Sequence, residues 1–261
     1  MRAPHRYVFI AGLHRTGTSL LARIIADHPQ ISAISGAPVP EDEGCYLQGA
    51  IPHTARHGIP GEYATDPAQH HVEGGRYDTL ETKMRLEADW GPWFDGNALW
   101  RLEKSPVNLT RMRLLQGLFP ASQFIVILRH PAAMAAALAK WTDRPFAQLV
   151  SYSLQAYEIM AEDLSYLHCA MVLRYEDLVA DPARHIGAAH AFLGLEEKDS
   201  APELYDGNAE YGDAPPMPLE TTERAARWGY ENPMIATAWQ PIVRHPLRAI
   251  GEATLARLSG G

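Results

Sequence analysis

Cysteines, long apolar runs and excess positive charge are all scarce in this chain. Its 261 residues hold two cysteines, Cys45 and Cys169, far apart in the sequence. A disulfide framework or a cysteine-based metal site needs more, so two reduced, packed thiols are expected. No apolar stretch approaches the roughly 20 residues of a membrane-spanning helix. The run near the N-terminus, ending at Gly12, is also too short for the core of a secretory signal. A soluble, cytoplasmic protein is the default expectation. The formal net charge is -8, which argues against a dedicated surface for nucleic acid or anionic membrane but not against a local basic pocket. A Walker lysine is absent too. Gly12 and Gly17 keep the glycine spacing of a nucleoside-triphosphate loop, but Thr18 stands where that loop requires lysine. The nearest cation is Arg15, inside the loop.

Hydrophobic residues make up 46% of the chain and charged residues 21%, an ordinary balance for a globular α/β protein with a sizeable core. Strand-like runs recur at Tyr7 to Gly12, Ala98 to Lys104, Gln123 to Arg129 and Ala170 to Glu176. Segments with apolar residues at helical spacing separate them, beginning at Thr18, Leu109, Ala132 and Phe146. Near-continuous apolar strands alternating with helices predict an α/β fold, a central parallel sheet flanked by helices on both faces. In such sheets ligands bind at the carboxyl ends of the strands. Residues 35–75 break the rhythm with many Gly, Pro and His residues, as a functional loop or lid would. Gly207 to Pro218 is a second loop. No linker divides the chain, so residues 1–261 are expected to form one domain with an irregular 35–75 substrate loop.

Four strand ends carry the chemistry. The loop Arg15, Thr16, Gly17, Thr18, Ser19 offers backbone N–H groups, hydroxyls and a helix N-terminus to a tetrahedral anion; a simple Ser/Thr-capped turn is the alternative. Lys104 ends the second strand in "LEKSP", where it faces the same crevice or is merely a surface lysine. Arg129 ends the most buried strand in "FIVILRHP", a costly place for a guanidinium unless it meets a phosphate or a carboxylate partner. Tyr175, in "YEDLVADP", is placed either to contact a purine or to fill the core. Three cations aimed at one crevice imply a ligand with phosphates at more than one place.

Taken in order, these motifs resemble those of sulfotransferases that use 3′-phosphoadenosine 5′-phosphosulfate (PAPS). "RTGTS" fits the family's first loop, "LEKSP" its strand-end lysine motif, "FIVILRHP" its second phosphate motif and "YEDLVADP" its later signature. The flavour is that of carbohydrate, tyrosylprotein and bacterial members. The resemblance implies a sulfotransferase fold, related to that of P-loop nucleoside triphosphatases. It implies transfer of a sulfuryl group from PAPS to a hydroxyl, without a metal. By the same resemblance Arg15 and Lys104 stabilise the bridging oxygen, as expected for a loose transition state, and Arg129 binds the 3′-phosphate. One departure is plain. The family usually has a serine eight residues after that arginine, and Ala137 stands there. The loss is about 1.5–3 kcal/mol if nothing substitutes; Lys140, one helical turn on, is the expected substitute. Arg227, in a partial echo of the family's C-terminal loop, is a further candidate for the 3′-phosphate.

A general base is also needed. Glu41, Asp42 and Glu43 lie near the presumed crevice; Glu43 is the first choice and Glu41 the second, against a merely solvated acidic loop. His53 is a minor alternative. His57, His70 and His71 read as ordinary loop histidines, since cysteine or carboxylate partners at metal-ligand spacing are missing. The expected acceptor is a polar small molecule or carbohydrate, such as a sugar or a hydroxylated natural product; a peptide tyrosine stays open, as does a homodimer. A P-loop small-molecule kinase and a catalytically silent nucleotide-binding protein are the competing readings.

Overall fold

Val8 and Ile10 leave the first strand on one side, Tyr7, Phe9 and Ala11 on the other, and all five side chains are buried. The fourth strand repeats this, with Ile125 and Ile127 on one face and Phe124, Val126 and Leu128 on the other. Burial on both faces is why these runs are apolar without alternation. The computed structural model describes residues 5–52, 60–96, 98–196 and 202–259.

The strands are β1 (Arg6–Ala11), β2 (Ile31–Ala33), β3 (Trp100–Lys104), β4 (Gln123–Leu128), β5 (Ala170–Arg174), β6 (Tyr230–Glu231), β7 (Ile235–Ala236) and β8 (Ile242–Arg244). The helices are α1 (Thr18–Ile25), α2 (Gly44–Leu47), α3 (Leu80–Trp90), α4 (Met112–Leu118), α5 (Pro131–Leu138), α6 (Phe146–Leu164), α7 (Tyr175–Ala180), α8 (Pro182–Phe192), α9 (Leu219–Ala226) and α10 (Arg248–Ser259). The main sheet has the order β2-β3-β1-β4-β5-β8. β2, β3, β1, β4 and β5 are parallel, whereas β8 runs antiparallel to β5. Helices α3 to α6 cover one face and α1, α8 and α10 the other. The α/β architecture with a mostly parallel sheet is as the sequence implies; the antiparallel edge strand is an addition.

Local differences have local causes. The helix expected from Leu109 begins instead as a 3₁₀ turn, Pro106–Thr110, and α4 follows only from Met112. The described parts of 35–75 are anchored rather than loose. The Tyr63 hydroxyl reaches the carbonyl oxygens of Gly12 (3.1 Å) and Pro106 (3.0 Å), and His70 bonds to Asp163 at 2.7 Å. Cys45 and Cys169 are free and buried. Among the described residues no helix is long and apolar enough to cross a membrane.

Candidate active site

β1 delivers the chain into a tight turn. Gly12 has no room for a side chain, since a Cβ there would lie 2.5 Å from Thr16 Oγ1 and 2.7 Å from the Ile127 carbonyl. Arg15 and Gly17 both take positive φ, 71° and 99°. Glycine accepts that conformation freely and arginine does not. Gly17 is the N-cap of α1, and no side chain caps the helix. The Ser/Thr-capped alternative is therefore not what forms. Thr16 turns inward, its N–H and hydroxyl both donating to the Leu13 carbonyl, so it shapes the loop instead of facing a ligand. The first N–H groups of α1 are left without a side-chain acceptor, the usual setting for an anion.

Arg129 follows β4 and is 6% exposed. Its Nη1 donates to the Arg15 carbonyl (2.8 Å) and its Nε to Asn208 Oδ1 (2.7 Å). Its guanidinium lies 4.3 Å from the centre of the Tyr175 ring. The Tyr175 hydroxyl donates to the Tyr205 carbonyl and accepts from Gly207 N–H. A Cβ on Gly17 would approach that ring to 2.9 Å. Tyr175 is thus a brace, joining the loop, Arg129 and the segment around Gly207. Glu176 completes the brace by accepting from Asn208 Nδ2 and from the His130 N–H.

Lys140 lies beyond the end of α5, not on its next turn. Its Nζ is 3.3 Å from the Tyr211 hydroxyl, which also hydrogen-bonds Arg15. Burial would raise the Tyr211 pKa, but the hydrogen bonds and charges of Arg15 and Lys140 outweigh it and lower the net value. Ala133 and Ala137 pack against the Tyr211 ring. Small residues at those positions make room for a phenol. Arg15 also lies 5.3 Å from the centre of the half-exposed Trp141 ring. Arg227 is exposed at the C-cap of α9; no described hydrogen bond joins it to Arg129 or the loop.

Lys104 ends β3 and is buried. Its Nζ donates to Glu43 Oε1 and to the Glu41 carbonyl, both at 3.0 Å. Of the three acidic neighbours, Glu43 is the one whose carboxylate meets Lys104. Glu41 and Asp42 both adopt positive φ, 54° and 52°. This bend leaves the Glu41 side chain exposed and turns Asp42 Oδ1 back to the Ala37 N–H at 2.8 Å. Burial is the largest influence on Glu43; the Lys104 charge opposes it, Glu103 and Glu41 add to it, and the pKa is pushed up to about 7.

Glu103 is a residue that sequence reasoning missed. It is fully buried and accepts from Gly44 N–H (3.0 Å), the Ser105 hydroxyl (2.5 Å) and Asn108 Nδ2 (2.6 Å). The Ser105 hydroxyl in turn accepts from Cys45 N–H, and Trp90 Nε1 donates to the Gly44 carbonyl. This clamp fixes the backbone next to Glu43. His14 was missed as well. Burial foremost, then the Lys104 charge, lowers its pKa to about 4. It is neutral at pH 7, edge-on to the Tyr63 ring. His53 lies outside the described residues. His70 is tied to Asp163 and His71 lies against Tyr77.

A cleft of about 700 Å³ opens between α1 and the β2–β3 edge, with Lys104, Ser19 and Glu41 in its lining.

This chain belongs to the sulfotransferase family, whose pattern it matches over residues 7–199. No curated protein matches it. Among solved structures it is similar to the sulfotransferase domain from the Synechococcus PCC 7002 olefin synthase, with 17% identity over 89% of this chain and 98% of that one and a TM-score of 0.52. It is also similar to a sulfotransferase from Alicyclobacillus acidocaldarius (18% identity; 80% and 90% covered; TM-score 0.46). A mouse sulfotransferase complexed with PAP aligns at 15% identity, over 76% of this chain and 62% of that one, with a TM-score of 0.42. The first of these supports the fold.

Proposed function

We propose that this member of the sulfotransferase family, acting as one catalytic unit, moves the sulfuryl group of PAPS to an acceptor hydroxyl. One observation carries the choice of donor. Arg15, Arg129 and Lys140 gather about the loop and Tyr211, and none of them makes an ion pair with a carboxylate among the described residues. Unpaired cations beside an uncapped helix N-terminus suit a ligand with separate anionic groups.

The donor supplies the sulfuryl group: a bond forms from the acceptor oxygen to sulfur. The bond from sulfur to the bridging oxygen breaks, its electrons staying with 3′-phosphoadenosine 5′-phosphate (PAP). The acceptor's proton must leave as its oxygen bonds. Glu43 is the base we assign to it, with Glu41 the second choice; a carboxylate tuned near neutrality suits that task. Lys104 and Arg15 offset the negative charge that grows on the leaving oxygen. The N–H groups at Gly17, Thr18 and Ser19 hold the phosphosulfate. Arg129, braced by Tyr175 and Asn208, reads the 3′-phosphate, and Lys140 with Tyr211 takes the place of the hydroxyl missing at Ala137.

The test is a comparison of thermal shifts given by PAP and by 5′-AMP. PAP is expected to stabilise the protein by mass action far more than 5′-AMP, and Arg129→Ala is expected to erase the difference. Equal shifts on the unmodified protein would remove the assignment of PAPS as donor.

A further inference from the structure

We propose that the acceptor is an uncharged alcohol with a compact apolar body, and that it binds in the cleft between α1 and the β2–β3 edge. This rests on the sulfotransfer reading above and specifies its second substrate.

Position comes first. The sheet order puts β3 and β2 on one side of β1, and β4 and β5 on the other. Arg129 and Tyr175 follow β4 and β5, so the nucleotide side of the loop is fixed there. The cleft lies across β1 from them and, of residues 15–19, takes only Ser19, in the first turn of α1. Lys104, at the end of β3, lines it. Group transfer needs the attacking and leaving oxygens roughly in line on opposite sides of the moving group, and a cleft on the far side of the loop meets that demand. Its volume, about 700 Å³, falls within the range of roughly 300–1,000 Å³ typical of small-molecule sites.

The lining gives the class. α1 presents Ser19, Ala22 and Ala26 to the cleft, three to four residues apart and so on one helical face. Ala33 faces them from β2. These small side chains are what leaves the space open. Leu20, Ile34 and Leu102 complete an apolar wall. The charged groups are Arg23, Asp27, Glu41 and Asp42, apart from Lys104, which is paired with Glu43. Three carboxylates against one guanidinium disfavour an anionic acceptor. The polar acceptor expected from the composition of residues 35–75 is the alternative that the test decides, since Ser19, Ser35 and the carboxylates also line the cleft. Of the histidines behind that expectation, His70 bonds to Asp163 and His71 packs edge-on against Tyr77.

The experiment supplies PAPS with 2-naphthol, octan-1-ol or glucose, using the unmodified protein and Ala26→Trp, with Ala26→Leu as a milder second variant. Ala26 is half-buried at the end of α1, so a larger side chain fills the cleft without entering the core. Both apolar alcohols should be sulfated in preference to glucose. The Trp variant should raise their KM about tenfold or more, the scale of a changed apolar pocket, with an unchanged thermal shift by PAP. A preference for glucose, or unchanged KM values in both variants, overturns the proposal. So does failure to sulfate either alcohol by a protein that PAP stabilises over 5′-AMP. A protein that PAP stabilises no more than 5′-AMP, and that consumes no PAPS, fails at the donor, and the acceptor proposal falls with it.

Discussion

Glu43 and Lys104 form a buried ion pair at 3.0 Å, yet the carboxylate remains harder to ionise than a free one. Desolvation outweighs the pairing, and the buried neighbour Glu103 pushes the same way. The pair therefore leaves a carboxylate that changes its protonation near neutral pH instead of locking it as a permanent anion.

Turnover should accordingly rise with pH through about 7, where Glu43 loses its proton. Glu43→Gln should remove that limb and lower turnover by about 10²–10⁴-fold, the usual contribution of a positioned base. The defect should shrink with phenols of low pKa, whose hydroxyl ionises unaided. Full activity in Glu43→Gln, with a dead Glu41→Gln, would move the base to Glu41. Steady-state pH profiles decide it.

In the proposed reaction Lys104 and Arg15 act on the leaving group, and Lys104→Ala and Arg15→Ala test it. Each should lower kcat by about 10²–10³-fold, as the loss of one oxyanion contact does, with a smaller change in PAP affinity. Acidic phenols should not rescue either variant. Rescue equal to that of Glu43→Gln would show that the two sets of groups do not divide the work in this way.

Gly44 tests the clamp. A Cβ there would lie 2.7 Å from Glu103 Oε1 and 2.8 Å from Trp90 Nε1. Gly44→Ala should cost about 1–3 kcal/mol of stability, as overpacking does, and should reduce kcat while the shift by PAP persists. Gly91→Ala is the control, since nothing lies within 4 Å of its Cβ position. Denaturant titration of both variants gives the comparison.

His70 couples stability to pH. Its hydrogen bond to Asp163 is the largest influence and raises its pKa above 6.5, against a partial loss of solvation. A raised folded-state pKa means stabilisation that is complete below 6.5 and lost as pH rises through the folded value. The melting temperature of the unmodified protein should exceed that of His70→Gln at pH 6, and the gap should narrow by pH 8.5. A constant gap would mean that packing alone holds this segment to α6.

Activity should survive EDTA, because the chain's own cations do the neutralising in the proposed reaction. Loss with EDTA and recovery with Mg²⁺ would favour a kinase.

Much of this was legible in the sequence because the central strands are buried twice over. Such strands cannot hide among polar residues, and their ends point to Arg15, Lys104, Arg129 and Tyr175. The short strands β2 and β8 left no such run, since each has three residues and β8 lies at an edge where half-burial suffices. Asn208 and Tyr211 were illegible for another reason. Each meets its cation only because a loop returns from 79 and 71 residues away, and spacing in the sequence carries no trace of that. That Glu43 and not Glu41 or Asp42 meets Lys104 goes with two successive positive φ angles, which the residue types alone do not announce. Glu103 read as an ordinary strand residue; the donors that make it a clamp come from Gly44, Ser105 and Asn108.

The antiparallel strand β8 has a consequence for the newborn chain. The stretch that matches the family ends at residue 199, while the strand that closes the β5 edge begins at Ile242. Proteins are made from the N-terminus and begin to fold in that order. The loop after β1 and the parallel strands can assemble while the outer edge of β5 still presents bare N–H and C=O groups, a template for pairing with another chain. A ribosome that stalls after α9, or a protease that cuts there, would release a molecule with its parallel strands in place and its sheet open to a neighbour.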